Sequence, residues 1–118
     1  MTKQPWSVRA DDSVGVARQM LAQREIRHLP VVDADQVVGM ITERDLARAA
    51  DRSEATAEDI MMRAHCVDEG TPLEDVLDDM ESHHRDAVVV TSDGQIRGIF
   101  TAMDALHVLR ELLRRRAA

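Results

Sequence analysis

Gly39-Met40-Ile41-Thr42-Glu43-Arg44-Asp45 is followed later in the chain by Gly98-Ile99-Phe100-Thr101-Ala102-Met103-Asp104. Glycine, threonine and aspartate keep their spacing, and 98 − 39, 101 − 42 and 104 − 45 each equal 59. In both copies an apolar run leads into Thr-x-x-Asp, the pattern of a strand that stops where a helix begins. The constant offset makes the chain a tandem repeat. It extends beyond the motif: Val8 aligns with Val67, Val14 with Leu73, Leu21 with Met80, Val31 with Val90 and Val37 with Ile96. Apolar character repeats more than identity does, so the repeated quantity is burial.

The flanking segments supply the other elements. Ser7-Val8-Arg9 is a short strand candidate, and Asp11-Asp12-Ser13 carries helix start signals. Val14, Ala17 and Leu21 then predict a helix to about Arg24 with one buried stripe. Leu29-Pro30-Val31-Val32 and Val37 to Ile41 read as strands around a turn at Asp33-Ala34-Asp35-Gln36. Pro30 has no N–H, so it is expected at a strand start or where the ladder needs no donor. A helix follows from Thr42 to about Ala50. The polar connection 51–59 contains Thr56 and Asp59, spaced as a cap and its acid.

The second unit repeats the order. Thr71-Pro72-Leu73-Glu74 predicts an N-cap, a first-turn proline and a capping acid, with Leu73, Val76, Leu77 and Met80 as the buried stripe. Ala87 to Val90 and Ile96 to Phe100 are strands around Ser92-Asp93-Gly94-Gln95. The last helix follows Thr101, with Ala105, Leu106, Leu109 and Leu112 or Leu113 on its apolar side. The predicted fold is therefore α/β (α+β), two β-α-β-β-α repeats at 1–50 and 60–118 joined by 51–59. Each unit is too small to bury its apolar faces alone. The two are expected to pack about a pseudo-twofold axis and share one core.

Composition narrows the function classes. The 118 residues are 44% hydrophobic and 31% charged, the balance of a folded globular protein. Trp6 and Phe100 are the only aromatic residues, so the core must be aliphatic with methionine as gap filler. The net charge of −7 concentrates in residues 51–100, where thirteen acids face four bases, which disfavours nucleic-acid binding. No apolar run approaches a membrane span, and Met1 to Ala10 lacks a signal-peptide core. The lone Cys66 excludes an internal disulfide, and a cytoplasmic location is expected. Arg110, Arg114, Arg115 and Arg116 suit the negative end of the last helix dipole.

Two readings of Gly-x-x-Thr-x-x-Asp stay open on the residues alone. A helix N-terminus presents free N–H groups and positive potential, a natural seat for phosphate. Glycine permits close backbone approach, and a carboxylate one turn in can accept hydrogen bonds from ribose hydroxyls. Equally, Thr-x-x-Asp is a capping box that needs no ligand. Arg27, His28 and Arg44 lie near the first motif in sequence and can donate to a phosphate, whereas their counterparts are Asp86, Ala87 and Met103. The Asp45 site is therefore expected to be the better phosphate site, qualified by His84 and Arg85 beside the second.

The ordered set of Val14 to Leu21, Ile26-Arg27-His28-Leu29-Pro30-Val31-Val32-Asp33 and Gly39 to Asp45 resembles a cystathionine-β-synthase (CBS) domain. Asp59-Ile60-Met61 is similar to the lead-in of many such units, and the second copy makes the chain resemble a CBS pair, or Bateman module. That resemblance implies a regulatory module rather than an enzyme, binding an adenosine-containing small molecule of AMP, ADP or ATP type between the units. It implies Asp45 and Asp104 as ribose ligands and Thr42 and Thr101 as phosphate or ribose contacts. Gly39, Arg27, His28 and Arg44 complete the expected nucleotide site. It further implies a homodimer formed through helices and a regulated partner that the sequence does not identify.

Other constellations carry less. His83, His84 and Asp86 are adjacent rather than spaced as metal ligands, and no metal is expected. No cofactor is expected beyond the nucleotide as regulatory ligand. Cys66 has no recognisable catalytic partner. A ligand-free dimerisation module is the alternative function, and a nucleotide-processing enzyme the third class.

Overall fold

The fold is that of a computed structural model, which describes residues 2–3, 6–52 and 54–117. In chain order the elements are β1 (Thr2–Lys3), β2 (Val8–Arg9), α1 (Val14–Arg24), β3 (His28–Asp33), β4 (Gln36–Thr42), α2 (Glu43–Arg48), α3 (Ala57–Ile60), β5 (Met62–Arg63), β6 (Cys66–Asp68), α4 (Leu73–Ser82), β7 (Ala87–Ser92), β8 (Gln95–Thr101) and α5 (Ala102–Ala117). Among the described residues they form two sheets, ordered β2-β3-β4-β5 and β1-β8-β7-β6. Each repeat is a β-α-β-β-α unit, as expected.

The repeat is written in backbone conformation. Both hairpins slip register at the same place, between Val31 and Val32 and between Val90 and Thr91. Ala34 and Asp35 have φ of 50° and 65°, and Asp93 and Gly94 have 53° and 81°. Two consecutive residues with positive φ make the tight turn whose twist suits a hairpin. Glu25 and His84, both at φ 53°, turn the chain out of α1 and into the bend after α4. Every one of these pairs is 59 residues apart.

Local chemistry accounts for the ends of the elements. Ser13 Oγ accepts from the Val16 N–H at 3.2 Å and caps α1. Thr56 N–H donates to Asp59 Oδ2 at 2.9 Å and caps α3. The start of α4 differs from expectation. Helix begins at Leu73, Pro72 precedes it without a side-chain cap, and the Thr71 N–H donates to the Asp68 carbonyl at 2.9 Å. Thr71 thus closes a preceding turn instead of opening the helix. Pro30 lies third in β3, outside the β2 ladder, which starts at Val8. Its counterpart Val89 donates to the His65 carbonyl at 2.9 Å, so proline stands where the first unit makes no such bond.

The units exchange their edges. β1, from the start of the chain, pairs antiparallel with β8 of the second unit, with Lys3 opposite Gly98. β5, which follows the connection, pairs back onto β4 of the first unit, with Arg63 opposite Gly39. The glycine of each motif thus faces an exchanged strand. A Cβ at Gly39 would overlap the Met61 sulfur and lie 2.9 Å from the Met62 carbonyl oxygen. The close approach that Gly39 permits is by Met61 and Met62, not by a ligand.

Burial corrects the expectation of one shared core. One cluster gathers around Val8, Val14, Ala17, Leu21, Leu29, Val31, Ile41 and Leu46, closed by Ala57 and Ile60 of α3. A smaller one contains Val76, Met80, Val88, Val90 and Phe100. Among the described residues no short helix like α3 closes the second cluster. Leu73 and Leu77, expected in the α4 stripe, are exposed, and α5 buries none of its side chains fully. Leu106, Leu109, Leu112 and Leu113 are each more than half exposed. Met103 is exposed as well, against the expectation that the methionines fill the core.

Gly39→Ala should lower stability by about 1–3 kcal/mol, the usual range for overpacking a tight contact. A thermal melt without ligand checks this: a clear drop in midpoint is expected. An unchanged midpoint would show that β5 does not need the glycine.

Candidate functional site

Each motif ends a central strand and starts a helix, so its Thr-x-x-Asp lies at the junction of sheet and helix. At the first, the Thr42 N–H and hydroxyl donate to Asp45 Oδ2 at 2.8 and 3.1 Å. Arg48 holds the other oxygen, Oδ1, from one turn further along α2. Asp45 is only 3% exposed and is the sole charged side chain buried among the described residues. At the second motif the Thr101 N–H and hydroxyl donate to Asp104 Oδ2 at the same 2.8 and 3.1 Å. The Asp104 N–H donates back to the Thr101 hydroxyl at 3.1 Å. Asp104 is held below the usual carboxylate range: burial pushes it up, and the Thr101 donors are among the groups that pull it down. Both motifs are thus capping boxes. A carboxylate has about four acceptor positions, so the cap leaves room for further donors on Asp45.

Two clefts open where these junctions meet the opposite unit. The first, about 600 Å³, is lined by Met40, Thr42, Glu43, Arg44, Asp45 and Arg48, with Met62 and Asp86. The second, about 510 Å³, is lined by Ile99, Thr101, Ala102 and Met103, with Trp6, Glu25 and Ile26. Arg27, His28 and Asp86 line both. Asp104 is not among the described residues lining the second cleft; its carboxylate turns back onto the cap. Both volumes fall within the usual range for small-molecule sites, about 300–1,000 Å³.

This arrangement redraws the expected site. Arg27 and His28 do not belong to the Asp45 motif alone. The bend between α1 and β3 reaches across to the second motif, and the equivalent bend sends Asp86 to the first. The three residues form a partition shared by the clefts. Gly39 lines neither cleft and serves the β4–β5 contact instead. Arg85, which qualified the expected asymmetry, is engaged elsewhere: its Nε meets Asp79 Oδ2 at 3.1 Å, beside His65 at 3.0 Å and His83 at 3.1 Å. Among the described residues no three His, Cys, Asp or Glu side chains converge as a metal site.

Sequence reasoning missed Trp6, Glu25, Ile26, Arg48 and Asp86 as cleft residues. Arg48 had a signal, since it follows Asp45 at i+3 on one helix face. The others come from the opposite repeat, and nothing in the linear spacing reports which bend crosses to which motif.

Charge separates the clefts. Arg44 and Arg48 line only the Asp45 cleft, which they share with the acids Glu43 and Asp86. The Thr101 cleft has Met103 where the first has Arg44, the counterpart of Arg48 is His107, which does not line it, and its walls are mainly apolar. His28 is held below the usual histidine range, first by burial and also by Arg27, with Asp86 acting in the opposite direction. Near pH 7 it is therefore a neutral imidazole, one donor and one acceptor, rather than a cation. A histidine more acidic in the fold than in the unfolded chain keeps its stability contribution above about pH 6.5 and loses it on acidification. The melting midpoint should therefore fall between pH 7.5 and pH 5.5, and His28→Gln should reduce that slope; parallel slopes would contradict the assignment.

The chain is similar to several known proteins. The CBS domain family matches twice, over residues 1–52 and 57–111. An L-aspartate semialdehyde sulfurtransferase of Methanocaldococcus jannaschii is 33% identical over 110 residues, covering 88% of this chain and 21% of that protein. An inosine-5'-monophosphate dehydrogenase of Nitrosopumilus maritimus is 32% identical over 88% of this chain and 22% of its own length. The chain thus spans about a fifth of these curated relatives. Among solved structures, the CBS domain pair of protein MJ0100, in complex with 5'-methylthioadenosine and S-adenosyl-L-methionine, superposes with a TM-score of 0.83. It is 30% identical and covers 94% of this chain and 92% of its own. No helix among the described residues is long and apolar enough to cross a membrane. With two matched repeats, two exchanged sheets and a capped motif at the floor of each cleft, the chain belongs to the CBS domain family as a tandem pair.

Proposed function

We propose that this CBS pair is a regulatory, non-catalytic module of the cytoplasm that binds an adenosine-containing nucleotide of AMP, ADP or ATP type between its repeats, 1–50 and 60–118. The observation that carries the reading is the pair of clefts, each lined by the threonine of a capping box at a helix start, with the Asp45 carboxylate itself lining the first. Its support is the relative MJ0100, which holds two adenosine derivatives. In the Asp45 cleft, ribose hydroxyls replace Arg48 on Asp45 Oδ1, while Oδ2 keeps its Thr42 bonds. The released Arg48, with Arg44 and Arg27, then faces the phosphate, and the Thr42 hydroxyl adds a donor. Because walls of each cleft come from both repeats, a ligand favours the arrangement that closes them together, and it acts through its differential affinity for the two arrangements. The regulated partner is a separate protein or a further part of a longer chain.

The asymmetry between the clefts rests on Arg44 and Arg48. Losing a charged hydrogen bond costs about 1.5–3 kcal/mol, so Asp45→Ala should weaken AMP binding by about 10- to 100-fold in calorimetry. Asp45→Ala also removes a helix cap, a loss of about 0.5–2 kcal/mol in stability. Arg44→Gln leaves the cap intact and should weaken AMP more than adenosine. Equal losses from Asp45→Ala and Asp104→Ala would refute the asymmetry.

A second reading, self-association, rests on the open face of α5. A monomer rarely exposes so many leucines in one helix. We propose a homodimer that covers Leu106, Leu109 and Leu113. Sedimentation should give about twice the 13.2 kDa chain mass. Leu109→Glu with Leu113→Glu should halve it without lowering the melting midpoint; a monomeric wild-type protein would rule the dimer out.

A further inference from the structure

Trp6 is the largest apolar side chain of the protein, yet it is 49% exposed. It forms a wall of the Thr101 cleft together with Ile26, Ile99 and Met103. The guanidinium of Arg24 lies 3.8 Å from the centre of its ring. That contact fixes the indole by a cation–π attraction. An immobilised indole at the edge of an apolar cleft presents a flat surface to another ring, and stacking needs no hydrogen-bond code.

The opposite cleft lacks this feature. Its counterpart position 59 residues on is His65, which is bonded to Asp79 instead and does not line the Asp45 cleft. Guanidinium groups are distributed the other way: Arg44 and Arg48 line the Asp45 cleft, and the Thr101 cleft shares only Arg27, whose charge is offset by Glu25 and Asp86. The clefts are therefore differentiated, one by cations and the other by an aromatic wall.

We infer that Trp6, braced by Arg24, stacks on the purine base of an uncharged nucleoside in the Thr101 cleft. This rests on the nucleotide-binding reading and deepens it. The Asp45 cleft takes the phosphorylated ligand, and the Thr101 cleft discriminates against phosphate because Met103 stands in the place of Arg44 and His107, the counterpart of Arg48, does not line the cleft. The base enters beside Trp6, and the sugar lies toward Thr101. Trp6 is a specificity residue for one of two unlike sites in a single module.

Trp6 is also the only tryptophan, so its emission reports this cleft alone. The test titrates the full chain with adenosine and with AMP, following heat by calorimetry and Trp6 by fluorescence in parallel. Adenosine should change the emission with the same midpoint as its heat, and AMP should bind by calorimetry with a smaller change. Trp6→Leu should weaken adenosine by about tenfold, the size of one base–aromatic stack. Trp6→Phe should retain most of the affinity and guards against a folding defect, as does a melt of each variant. AMP affinity should be nearly unchanged in both. Adenosine binding that leaves the emission unchanged and tolerates Trp6→Leu would overturn the stacking assignment while leaving nucleotide binding intact. An emission change with AMP as large as with adenosine would overturn the neutral-ligand assignment. No heat with either ligand would overturn both readings together.

Discussion

The bond from the Thr42 N–H and hydroxyl to the Asp45 carboxylate ends a strand, starts a helix and sets the floor of a cleft in one step. It buries a charge that would otherwise be costly to remove from water, because Oδ2 takes two donors from the cap and Oδ1 takes Arg48. The same bond recurs at Thr101 and Asp104, with the same distances. The two readings of the motif, helix cap and ligand site, are consequently not rivals. The cap holds a carboxylate at fixed depth, and its outer oxygen is bonded to an exposed arginine that can move.

Strand exchange sets how the two floors face each other. β1 joins the second sheet and β5 the first, so each unit contributes an edge strand to its neighbour. Gly39 makes this possible by leaving no side chain against Met61 and Met62. The bends after α1 and α4, each turned by a residue with positive φ, then reach toward the opposite motif. Arg27, His28 and Asp86 end up common to both clefts as a result. A ligand in one cleft therefore touches the wall of the other, which is the physical basis for any communication between them.

Much of this was legible in the sequence, for identifiable reasons. The 59-residue offset, the period-2 runs and the threonine–aspartate spacing report local backbone geometry, and local geometry is what repeats. The hairpins, α1 and the caps at Thr42 and Thr101 follow from it. The cap expected at Thr71 did not form: Pro72 stands directly before the helix, and Thr71 closes the turn that begins at Asp68. What the sequence could not convey was which unit covers which. The expected shared core is two clusters, and the apolar stripe of α5 lies open, because helical periodicity marks an apolar face without naming what packs on it. Likewise Arg27 and His28 were assigned to the motif nearest in sequence, while the fold also brings them to the other. The role of Gly39 changed for the same reason: close approach was anticipated, and the approaching group is the chain itself.

Crystallisation of the full chain with AMP tests the central claim most directly, because it reads the partners of Asp45 atom by atom. The account predicts ribose hydroxyls on Asp45 Oδ1 in place of Arg48, the Thr42 bonds to Oδ2 intact, and the phosphate between Arg44 and Arg27. AMP bound outside both clefts, or bound within the first while Arg48 still held Oδ1, would contradict it.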